Sequence, residues 1–125
     1  MKAQLTKFIG GYVAVTLAPD KAIELIERLR ERLGKGGEDV DDTIRMIKNF
    51  DVFYEFMRKK FKEFLTPKKN ISDMIRANVM IDKIKLIKNG EKLVMIIFDR
   101  SVDEKDVVET LKEMNVEIEY VEHAS

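Results

Sequence analysis

The sequence predicts an α+β fold of the ferredoxin-like kind, a split βαβ whose four-stranded antiparallel sheet runs in the order 4-1-3-2 and carries a helical insertion between the first helix and the second strand. Three observations lead there. Two β-rich runs, 81–88 and 91–98, meet at Asn89-Gly90, the dipeptide that most readily takes the positive φ angles of a tight hairpin turn. Apolar residues recur at helical spacing over 19–33 and over 102–114. Short alternating runs stand near both ends, at 8–17 and 116–120, with the period of two that marks strands. At 125 residues, 45% apolar and 37% charged, the chain suits one globular domain spanning 1–125, large enough for a core without disulfides or metal.

The first predicted strand, 8–17, places Ile9, Val13, Val15 and Leu17 on one side and Phe8, Tyr12, Ala14 and Thr16 on the other. Gly10-Gly11 reads as a bulge at its start. Pro19 suits a first helical turn, Ala22, Ile23, Ile26, Leu29 and Leu33 form the apolar stripe, and Gly34 ends the helix where positive φ is cheap. Glu38, Asp39, Asp41 and Asp42 read as carboxylates meeting the dipole of the next helix, since they lack the spacing and central glycine of a calcium loop. The insertion, about 38–79, is helical. Phe50, Phe53, Tyr54, Met57, Phe61, Phe64 and Leu65 form an aromatic stripe on a helix that Thr66-Pro67 stops. Asn70 with Asp73 caps a further short helix. After the hairpin, Ser101 and Glu104 have capping-box spacing, Val107, Val108, Leu111 and Met114 supply a helical face, and Asn115 ends it before a last strand of Val116, Ile118 and Tyr120 alternating with Glu117 and Glu119.

A two-residue turn at Asn89-Gly90 sets Lys88 opposite Glu91, Lys85 opposite Val94 and Lys83 opposite Ile96. On that register the face that the two sheet-packing helices leave bare has an apolar centre between a basic and an acidic edge. Tyr12, Lys83, Lys85, Val94, Ile96, Phe98, Glu117 and Glu119 are therefore the candidate interface, covered either by the inserted helix or by a second copy set lysine edge to glutamate edge. The second candidate surface is the basic segment 58–69, where Arg58, Lys59, Lys60, Lys62, Lys68 and Lys69 face only Glu63, a patch for phosphate backbone or an acidic partner.

Function classes narrow by absence of motif. With 23 cations and 23 anions the net charge is zero, which removes any bulk attraction to nucleic acid or anionic lipid. No cysteine is present, so there is no thiolate site and no disulfide framework, and the expected location is cytoplasmic. Abundant Lys and Glu resembles thermophile usage. The run 8–18 lacks the cleavage pattern of a signal peptide, and no run approaches the roughly twenty apolar residues of a membrane span. His123 is the sole histidine, and no nucleophile, metal or dinucleotide motif appears. No cofactor or metal is expected and no catalytic residue is assigned. The expected function is a non-catalytic binding, regulatory or assembly module acting through protein–protein contacts, homo-oligomeric. The alternatives are a nucleic-acid-binding protein using 58–69, and a small enzyme with a carboxylate site near Asp99 and Asp103.

Overall fold

In the computed structural model, which describes residues 2–122, the chain order is β1 (Lys2–Phe8), β2 (Tyr12–Leu17), α1 (Pro19–Leu33), α2 (Glu38–Lys48), α3 (Phe50–Lys59), α4 (Ile71–Ile75), β3 (Ile81–Asn89), β4 (Glu91–Phe98), α5 (Glu104–Glu113) and β5 (Glu117–Val121). The five strands form one mixed sheet, β3-β4-β2-β1-β5, antiparallel except where β5 runs parallel to β1. This corrects the ferredoxin-like expectation of four antiparallel strands in the order 4-1-3-2. The reason lies in Gly10-Gly11. With φ of 96° and 87° the pair is the turn of a hairpin, and the residues before it, KAQLTKF, make a strand that lies between β2 and β5.

The register of the β3–β4 hairpin also differs from expectation. Lys88 faces Lys92, Leu86 faces Val94 and Ile84 faces Ile96, one residue out of step with a two-residue turn. Because side chains alternate, that slip turns a whole strand over. Val94, Ile96 and Phe98 therefore face the helices with Val15 and Leu17, and all three are fully buried. They are core, not interface.

α1 lies on this face through Ala22, Leu25, Ile26 and Leu29, beside α5 with Val107 and Leu111. Arg32 joins the two helices by ion pairs to Glu109 and Glu113. α2 and α3 extend the same layer past β3, with Val40, Met46, Ile47, Phe50 and Met57 joining the core. The aromatic helix is shorter than its stripe implies. It ends at Lys59 rather than at Thr66-Pro67.

The acidic start of α2 does more than meet a dipole. Asp39 is fully buried and accepts N–H bonds from Gly37 at 3.0 Å, Met80 at 2.8 Å and Ile81 at 2.9 Å, tying the helix start to the start of β3. Asp41 takes Arg30 at 2.7 Å, and Asp42 holds Arg45 at 2.6 Å and the Lys68 N–H at 2.9 Å. Ser101 and Glu104 form no capping box, because α5 begins at Glu104 with Asp103 before it. Asn70 does cap α4, accepting the Asp73 N–H at 2.7 Å.

Candidate interaction surfaces

Opposite the helices lies a face built from the alternate residues of every strand. The observed register places Lys83 and Lys85 on β3, Met95 and Ile97 on β4, Tyr12, Ala14 and Thr16 on β2, Gln4, Thr6 and Phe8 on β1, and Glu117 and Glu119 on β5. α3 does not cover it. After α3 the chain runs along the outer edge of β3, where Leu65 and Ile84 exchange backbone bonds of 2.8 and 2.9 Å, and this swings Phe64 over the lysines. The Lys83 and Lys85 ammonium groups lie 4.8 and 5.9 Å from its ring centroid, close enough for a cation–π attraction.

Phe64 and Phe8 divide the face into two adjoining hollows. One, about 330 Å³, is lined by Phe8, Tyr12, Phe64, Asp82, Lys83 and Ile97. The other, about 290 Å³, runs over Thr6, Thr16 and Met95 to Val121 and Glu122. Along the floor Ala14, Thr16 and Ile97 are buried, while Tyr12 and Met95 are half-buried. At one edge Lys85, besides its place over the Phe64 ring, makes a long 3.9 Å contact to Glu63. At the other, Glu117 is exposed, while Glu119 is drawn to Lys2 at 3.2 Å. Of the eight expected interface residues, Tyr12, Lys83, Lys85, Glu117 and Glu119 are on this face. Met95 and Ile97 take the places expected of Val94, Ile96 and Phe98. The apolar run LVMIIF conceals this, since a strand oily on both sides carries no alternation to read.

The basic segment is not one surface. Arg58 pairs with Glu55 at 3.4 Å, Lys59 and Lys60 are exposed, and Lys62 reaches back so that its ammonium lies 5.8 Å over the Phe56 ring. Beyond the Leu65 bridge, Lys68 is exposed and Lys69 donates to the Asp82 carbonyl at 3.0 Å. Within the first group stands Phe61, 97% exposed at φ 54°. The N–H groups of Phe61 and Lys62 bond back to the carbonyls of Arg58 and Met57 at 3.2 and 2.9 Å, the pattern that closes a helix with a left-handed residue. Glycine or asparagine is the usual choice there, and a bulky side chain costs roughly 1–2 kcal/mol. Val52, Phe56 and Phe61 all lie exposed; the first two fall outside the expected stripe, whereas helical spacing alone did not separate Phe61 from the buried stripe residues Phe50 and Met57.

Near the expected carboxylate site, Lys35 donates to the Ser101 hydroxyl at 2.6 Å and that hydroxyl donates to Asp99 at 2.6 Å. The Ser101 N–H also bonds Asp99 at 3.0 Å. The Asp99 carboxylate accepts the hydroxyl proton, but the Lys35 side chain occupies the hydroxyl oxygen, the atom with which a serine nucleophile attacks. The contacts staple the loop before α5 to the loop after α1. Asp99 and Asp82 border a hollow of about 480 Å³ with Lys69, Met74 and Val79, while Asp103 lies apart at the start of α5. No cluster of three metal-ligating side chains occurs among the described residues, and His123 lies outside them. Compared with protein families, curated proteins and solved structures, the chain matches none. No described helix is long and apolar enough to cross a membrane.

Proposed function

We propose that this chain is a non-catalytic binding module whose contact surface is the bare sheet face, and that its partner there is a second copy of itself. The observation that carries the reading is the face's layout, an apolar floor of Tyr12, Met95 and Ile97 between Lys83 and Lys85 on one side and Glu117 and Glu119 on the other. Ile97 is already buried, and the half-covered Tyr12 and Met95 would gain roughly 25 cal/mol for each Å² removed from water. A two-fold axis through the floor brings each lysine edge to the other copy's glutamate edge, which specifies orientation more than it adds affinity. Phe64 and Phe8 rise beside hollows that can receive the same side chains from the partner.

Sedimentation equilibrium of the wild type and of Met95→Glu tests this. The wild-type mass should rise with concentration from 14.6 kDa toward twice that value, and Met95→Glu should remain a monomer with an unchanged circular dichroism spectrum. A wild type that stays monomeric up to about 1 mM, where an association would be worth less than roughly 4 kcal/mol, contradicts the proposal.

A further inference from the structure

We infer that the outer side of α3, with the turn that closes it, docks on an anionic membrane surface. This patch is separate from the sheet face and is made of apolar side chains that the fold leaves unused. Val52 and Phe56, one helical turn apart, are 67% and 41% exposed, and Phe61 just past the helix end is 97% exposed. The Lys62 ammonium over the Phe56 ring shows that the chain beyond Phe61 turns back to this side of the helix. Phe61 contributes no burial and occupies a conformation that favours glycine or asparagine, so folding supplies no reason for an aromatic residue there.

The charges around it supply one. Glu55 takes Arg58 and Glu63 turns toward Lys85, which leaves Lys59 and Lys60 without an ion pair among the described residues, beside Lys62. In a chain of zero net charge this is local attraction only. It acts within about 8–10 Å of a charged surface at physiological salt. A membrane interface offers phosphate to the lysines and hydrocarbon to all three apolar side chains. A nucleic-acid strand would use lysines and ring faces but has nothing for Val52, and one face of Phe56 already holds Lys62. The same combination recurs in α4, where Ile71 and Ile75 are 74% and 79% exposed next to Arg76.

Flotation of the full chain with vesicles of equimolar phosphatidylcholine and phosphatidylglycerol, and with phosphatidylcholine alone, tests the inference. Binding is expected to the anionic vesicles only, weakening as salt rises. Phe61→Asn suits the left-handed position and should fold normally while binding about tenfold more weakly. Lys59→Glu combined with Lys60→Glu should abolish binding. Phe61→Trp, in a chain with no other tryptophan, should shift its emission to the blue on the vesicles. Met95→Glu should bind them like the wild type, which keeps this result distinct from that of the sheet face. Indifference to anionic vesicles overturns the inference, as does binding that Phe61→Asn leaves unchanged. Salt-sensitive binding of mixed-sequence single-stranded RNA by a chain that ignores vesicles overturns it in favour of nucleic acid.

Discussion

At the scale of single residues the acidic cluster of α2 carries the most information. Asp39 accepts three backbone N–H bonds while fully buried, so it serves as a fixed acceptor joining the residue before α2 to the amides at the start of β3. Asp42 shows what such placement does to a titration. Burial pushes its carboxyl up, but the Lys68 backbone N–H and the Arg45 guanidinium outweigh that and hold it below the usual aspartate range. A carboxyl lowered by folding stabilises the protein above its unfolded pKa of about 3.9 and loses that contribution as pH falls through the folded value. Asp42→Asn should therefore be less stable than the wild type at pH 7, by roughly 1–3 kcal/mol, and the difference should shrink below about pH 4. Urea denaturation at several pH values measures it, and a difference constant with pH would contradict the assignment. The cluster was legible as acidic and helical. Arg45 lies one turn on in the same helix, but the partners at Arg30, Lys68 and Met80 come from elsewhere in the chain, which no local pattern shows.

The β3–β4 hairpin is the clearest case at the scale of elements. Asn89-Gly90 marked the turn correctly, and both strands are where the β-rich runs place them. The face assignment failed because it rested on loop length alone. β3 alternates, with Ile84 and Leu86 inward and Lys83 and Lys85 outward, but β4 is apolar on both sides, so only pairing decides which half is core. Paired glutamate substitutions separate the two registers. Val94→Glu places a charge in the core beneath α1 and should prevent stable folding. Met95→Glu, on the half-covered face, should change stability by less than about 1 kcal/mol. Thermal unfolding of the two variants decides between them, and the reverse ranking would restore the two-residue turn.

For the whole molecule the decisive element is β1. It pairs β2 on one side and β5 on the other, so the last strand belongs to the sheet only through the first. Leu5 is nearly fully buried in this strand. Leu5→Ala should cost roughly 2–5 kcal/mol, and amide exchange should show β5 losing protection together with β1. Strong exchange protection in β5 with β1 disrupted would mean that β5 is held another way. A strand with only Ala3 and Leu5 pointing inward shows little hydrophobic period, which is why Gly10-Gly11 passed for a bulge.

Local chemistry determined where elements begin and end: Pro19 and Gly34 around α1, Asn70 before α4, Gly90 in the hairpin, and Asn115 at φ 58° after α5. Those positions depend on backbone angles and on caps within a few residues, so they can be read in sequence. Tertiary structure alone decided which face of β4 is buried, that β1 joins β5, and that Phe61 is exposed while Met57 is buried in the same stripe. Each of these is a choice between alternatives of equal local quality. The energy that settles it comes from burying apolar area against residues distant in the chain.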